Sequence, residues 1–119
     1  MDTDTHITQQ LPATIRAFLE AQTARDEKRA LPLLAEDAVI VDVADGGEEF
    51  RGEDGLRRFV VEAGTEFTYT TEITDIRQDG EVWVVRHHLD GDFPGGQVDL
   101  DYRFTLDGDR ISRLDVVLP

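Results

Sequence analysis

The chain has 119 residues, enough for one domain with one core. Twelve basic residues stand against 26 acidic ones, and the resulting net charge of -14 opposes binding to nucleic acid or to anionic membrane surfaces, which both depend on cationic contacts. The absence of cysteine excludes disulfides, thiolate metal sites and cysteine nucleophiles, and no apolar run approaches the ~20 residues of a membrane span.

Met1 to Gln10 is polar, with neither a basic nor an apolar leader region. A flexible tail over residues 1–10 and a cytoplasmic protein are therefore expected, with a single domain over residues 11–119. Pro12 suits a first helical turn, and Ile15, Phe18, Leu19 and Gln22 follow helical spacing. Arg25-Asp26-Glu27 interrupts the pattern, and Asp26 can cap a second, short helix that presents Ala30, Leu31, Leu33, Leu34 and Ala35. Val39 to Val43 is β-branched and short, which predicts a strand.

Ala44 to Gly47 reads as a turn, and Glu48 to Arg51 as a short returning strand. Glu53-Asp54-Gly55 opens a third helix, whose apolar face is Leu56, Phe59, Val60 and Ala63 and which ends at Gly64. A meander follows: Phe67 to Ile76, a turn at Asp79-Gly80, Val82 to Leu89, a loop at Asp92 to Gly96, then Val98 to Leu106. In that last segment Val98, Leu100, Tyr102, Phe104 and Leu106 alternate with polar residues, the cleanest period of two in the chain. Ile111 to Leu118 is the final strand. Helices followed by antiparallel strands give an α+β fold with the helices on one sheet face.

Several segments carry a family resemblance: Leu33-Leu34-Ala35-Glu36-Asp37-Ala38-Val39, Arg51-Gly52 before the third helix, Gly91-Asp92-Phe93-Pro94-Gly95-Gly96, and Tyr102-Arg103-Phe104 with Gly108 and Ile111. In that order the chain resembles the nuclear transport factor 2-like superfamily, and within it the SnoaL-like polyketide cyclase and ketosteroid isomerase branch. The resemblance implies a cone-shaped roll: a curved, mostly antiparallel sheet wrapped around about three helices from the N-terminal half. It further implies an internal apolar pocket, a small apolar ligand or substrate, and a homodimer through the outer sheet face.

Asp42 shares a strand face with Ala38 and Ile40 by parity. It either ends the strand and bonds the turn at Asp45-Gly46-Gly47, or sits in the pocket, where poor solvation would make it a better base near neutral pH. The resemblance matches Asp42 to the acid that shuttles a proton next to a carbonyl. His87 and His88 point to opposite sheet faces. His87 shares a face with Trp83, Val85 and Leu89, and the isomerase pattern also turns it inward, as a partner for Asp42 or a histidine bonded to a neighbour. Tyr102, on its strand's apolar face, is either a hydroxyl donor to a carbonyl or a core residue. Adjacent histidines diverge on a strand and no paired-histidine spacing occurs, so neither a metal nor a cofactor is expected.

Phe18, Phe59, Trp83, Val85, Leu100, Leu114, Val116 and Leu118 read as pocket wall or plain core. The resemblance puts Phe18 and Leu100 where the steroid isomerases keep their two oxyanion donors, and neither side chain can donate a hydrogen bond. Steroid isomerisation by that route is therefore not expected. A cofactor-independent isomerase, cyclase or lyase with Asp42, His87 and Tyr102 as its polar groups remains. The alternative is a non-catalytic ligand-binding or dimerisation module of the same fold.

Overall fold

The structure, a computed structural model, describes residues 10–119, so the expected N-terminal tail lies almost wholly outside the described residues. Helix α1 (Ala13–Thr23) starts after Pro12 and buries Ile15, Phe18, Leu19 and Ala21. It stops through a left-handed residue: the Arg25 N–H donates to Gln22 O at 2.9 Å, and the Asp26 N–H donates to Ala21 O at 2.8 Å. This is the two-bond helix stop that normally takes glycine in the left-handed position. Here that position is Arg25, with φ of 54°, the single non-glycine residue of positive φ among those described.

Asp26 then caps α2 (Glu27–Ala30), its carboxylate accepting from the Arg29 N–H at 3.3 Å. The second helix is shorter than the sequence pattern predicts. After one turn the chain tightens into a 3-10 turn over Leu31–Leu33, which contains Pro32, and then extends. Leu34 and Ala35 therefore belong to strand β1 (Leu34–Asp42), not to a helix, and Leu34 pairs with Ile111. A glycine turn at Gly46 and Gly47 leads to β2 (Glu48–Arg51). Helix α3 (Gly52–Glu62) has Glu53 and Asp54 in its first turn, where the helix dipole favours acids, and buries Leu56, Phe59 and Val60.

Strands β3 (Tyr69–Asp79), β4 (Val82–Gly91), β5 (Gln97–Asp107) and β6 (Arg110–Val117) complete a six-stranded sheet of order β2-β1-β6-β5-β4-β3. The pairing of β1 with β6 is parallel and the rest are antiparallel. Register shifts at Leu34/Val39, Ile73/Asp75 and Thr105/Leu106 mark bulges, which add twist and bend and curve the sheet around the helices. The result is the expected α+β cone.

The core lies between the helices and the inner face. Phe18 and Phe104 meet edge-on at 6.0 Å, Phe50 and Phe59 at 5.3 Å, and Ile40, Ile111 and Leu114 are fully buried around them. The outer face is an ion-pair lattice. Arg86 grips Asp101 with both nitrogens at 2.8 and 3.1 Å, and Arg77 approaches at 3.6 Å. Asp101 is thereby buried on a face that alternation alone would make solvated. No helix among the described residues is long and apolar enough to cross a membrane.

Candidate functional site

The core does not fill the cone to its wide end. A cavity remains there in two adjoining lobes, of about 420 Å³ and about 300 Å³. Gln22, Gly64, Phe67, Tyr69, Leu89 and Tyr102 line both lobes and so form the partition between them. His87 and Arg25 line the larger lobe alone. Asp42, Phe59, Leu100, Val116 and Leu118 line the smaller one.

Asp42 occupies the last position of β1, opposite Glu48 on β2 and Val116 on β6. It both bonds the turn and lines the cavity. Its backbone carbonyl accepts from the Gly47 N–H at 2.9 Å, and its carboxylate accepts a backbone hydrogen bond from Asp45. The same carboxylate faces the apolar wall of the smaller lobe. Burial raises its pKa to about 6, and the nearby charges of Asp45, Glu48 and Glu66 add to the rise, against the bond from Asp45. A carboxylate with that proton affinity can both take and return a proton near neutral pH.

His87 is 7% exposed and lies in the other lobe, on the partition's far side from the lobe of Asp42. Its Nδ1 is 3.2 Å from Val85 O, which requires the proton on Nδ1 and leaves Nε2 as an acceptor. Burial pushes its pKa down to about 4, so the ring is neutral at pH 7. His88 points to the outer face and bonds Asp99 at 2.7 Å. Tyr102 stacks on His87 with ring centroids 4.2 Å apart, and its hydroxyl accepts from Gln22 Nε2 at 3.5 Å. Burial pushes the phenol up to about 12, so it stays protonated, and the Gln22 bond leaves its proton free to be donated.

Four of the eight predicted wall residues do not line either lobe. Phe18 is fully buried against Phe104, and Val85 and Leu114 are buried in the same core, with Trp83 packed against it. The reason is position along the strands. Trp83 pairs with Phe104, and Phe104 with Leu114, at the packed end of the cone. Leu100 and Val116 lie two or more residues nearer the open end.

Among the polar residues that line the cavity, sequence reasoning gave no part in it to Gln22, Tyr69 and Arg25. Gln22 lies one helical turn beyond Phe18, and the 3.6-residue period that buries Phe18 also brings Gln22 to the cavity side. Tyr69, on edge strand β3, accepts a hydrogen bond from Arg25 Nη2 at 3.4 Å. Arg25 Nη1 donates to the last carbonyls of α3, Val60 O at 3.2 Å and Ala63 O at 2.6 Å. The signal for Arg25 was an arginine standing where a helix stop ordinarily has glycine.

A family model described as a SnoaL-like domain matches residues 15–114. A candidate polyketide cyclase from Sinorhizobium meliloti is 30% identical, with a TM-score of 0.79 over 92% of this chain and 97% of that one. A candidate ketosteroid isomerase from Kribbella flavida is similar in fold, at 20% identity and a TM-score of 0.73 over 93% of this chain and 78% of that one. So is a protein of ketosteroid isomerase-like fold from Catenulispora acidiphila, solved in complex with trimethylamine, at 18% identity and a TM-score of 0.71 over 88% of this chain and 84% of that one. No curated protein matches the chain.

Proposed function

Because the chain belongs to the SnoaL-like domain family, we propose that it is a small-molecule pocket protein in which Asp42 moves a proton on an apolar carbonyl compound without a cofactor. The observation that carries this reading is the position of Asp42, at the end of β1 on the wall of a lobe lined by Phe59, Leu100, Val116 and Leu118, where burial raises its pKa to about 6. Ionised Asp42 takes a proton from the carbon next to a carbonyl. The C–H bond breaks, an O–H bond forms on Asp42, and the electron pair moves to the carbonyl oxygen. Tyr102, protonated and with its proton free, donates a hydrogen bond to that oxygen in place of the donors that Phe18 and Leu100 cannot supply. Return of the proton to another carbon completes an isomerisation; in a cyclisation the enolate carbon instead attacks a second carbonyl of the same molecule, whose oxygen takes the electron pair and then the proton back from Asp42.

His87 has a lesser part than a direct partner of Asp42. It holds the Tyr102 ring and presents an acceptor to the larger lobe. The protein works as a homodimer through its outer sheet face, a reading supported by the internally neutralised lattice of Arg86, Asp101, Arg103 and Asp79. Sedimentation equilibrium checks the dimer, and a monomer at micromolar concentration would contradict it.

Deuterium wash-out from 2-tetralone labelled next to its carbonyl tests the chemistry. The protein should accelerate exchange over buffer, with a rate that rises through pH 6, and Asp42→Asn should abolish the acceleration. An Asp42→Asn rate equal to the unsubstituted one overturns the proposal. A second reading, a ligand-binding module without catalysis, is favoured by the packing of Phe18 into the core away from the cavity. It predicts binding of 2-tetralone with no acceleration.

A further inference from the structure

We propose that Arg25 makes the larger lobe an anchoring site for a carboxylate, so that the ligand is an apolar keto acid held by its acid group there while its reacting carbon lies beside Asp42. This rests on the proton-transfer reading of Asp42 and adds to it the class of ligand and its direction in the cavity.

Arg25 is costly where it stands. A left-handed backbone suits glycine and is unfavourable for a residue with a Cβ, and this helix stop would form with glycine at no such cost. The side chain must supply something in return. Part of it is structural, since Nη1 satisfies Val60 O and Ala63 O at the end of α3. Nη2 is not needed for that task and reaches instead to the Tyr69 hydroxyl on the cavity wall.

The charge of Arg25 is also unusual in this chain. Among the described residues, eight of the eleven arginines have a carboxylate within ion-pair distance: Arg29, Arg51, Arg57, Arg58, Arg77, Arg86, Arg103 and Arg113. Arg25, like Arg16 and Arg110, has none among the described residues, although acids outnumber bases 26 to 12. It is the one arginine that lines this cavity. With Nη1 engaged by two carbonyls, Nε and the second proton of Nη2 remain on this half-buried guanidinium, and that edge is a binding group for a carboxylate.

The lobes differ in sign. Asp42, Asp45 and Glu66 line the smaller lobe, and Arg25 lines the larger. An anionic group is repelled from the first and attracted to the second, which orients an elongated ligand. Tyr69 accepts from Arg25 and Tyr102 accepts from Gln22, so both hydroxyls keep a proton to donate at the partition.

Calorimetric titration with 2-naphthoate and with 2-naphthamide, its neutral counterpart, at about 0.15 M salt tests this. The protein should bind the carboxylate about tenfold or more tighter than the amide, the gain of one charge-assisted contact. Arg25→Gln, which retains a donor for the helix carbonyls but no charge, should bind both probes alike. Arg25→Lys, which keeps charge without the fork, should show a reduced preference and covers the case in which Arg25→Gln does not fold. Equal binding of both probes by the unsubstituted protein, or a preference that survives Arg25→Gln, overturns the inference and leaves the Asp42 reading standing. Binding of neither probe overturns the inference and the apolar-ligand pocket together.

Discussion

The ring of His87 lies against the ring of Tyr102, centroids 4.2 Å apart and planes inclined at 36°. Tyr102 borders both lobes of the cavity, so this contact keeps the histidine in the lobe that Asp42 does not line. The two groups that look like an acid–base pair in the sequence are thus divided by a tyrosine that lines both of their lobes.

Tyr102→Phe keeps the ring stack and removes the hydroxyl donor. The hydroxyl's bond to Gln22 is long, at 3.5 Å, so the stability change should stay within about 1 kcal/mol in urea unfolding. Deuterium wash-out should slow by about 10²-fold or more, the usual loss for one oxyanion donor. An unchanged wash-out rate would remove Tyr102 from the mechanism.

Asp42 and His87 impose opposite pH dependences on stability. Asp42 has a pKa of about 6 against an ordinary 3.8, so the native state holds its proton more tightly than the unfolded chain does. Its contribution is fully present below pH 4 and is lost as pH rises to 6. Two units correspond to about 3 kcal/mol, reduced to about 1–2 by the solvent on its exposed side. Asp42→Asn should therefore gain about 1–2 kcal/mol relative to the unsubstituted protein between pH 4 and pH 8. For His87, lowered from 6.5 to about 4, the native state holds the proton less tightly, and stability falls as pH drops from 6.5 to 4. His87→Gln should flatten that acid-side loss. Chemical denaturation of the three proteins at pH 4, 6 and 8 separates the two slopes, and parallel profiles would contradict both assignments.

The left-handed Arg25 makes a sharper comparison than one substitution can. Arg25→Ala and Arg25→Gly lose the same bonds to Val60 O, Ala63 O and Tyr69, but only the glycine relieves the backbone. The glycine variant should be the more stable of the two by about 1 kcal/mol. Equal melting temperatures would mean that the loop relaxes out of the left-handed region.

The alternation of Val98 to Leu106 was legible because one strand face meets the core and the other carries the charges. The family motifs placed Asp42 at a strand end. The true start of β1 was not legible: Leu34 and Ala35 are as apolar as a helix face requires, and only their pairing beside Ile111 makes them strand. Nor does a period of two say which end of a stripe is hollow. Trp83 and His87 share one face of β4, yet they stand four residues apart, about 13 Å along the strand, and only the second reaches the cavity. Arg25 escaped notice because its role depends on a φ value and on a helix 35 residues away.

If Asp42 moves the proton, the cavity must hold its carboxyl in a state ready to exchange one near neutrality. Carboxyl-carbon NMR measures this directly, with the Asp42 resonance assigned by its absence in Asp42→Asn. A proton-shuttling Asp42 should titrate with a midpoint near pH 6, moving higher when 2-tetralone displaces water from the lobe. A midpoint at the ordinary carboxylate value of 3.8, unmoved by ligand, would contradict it.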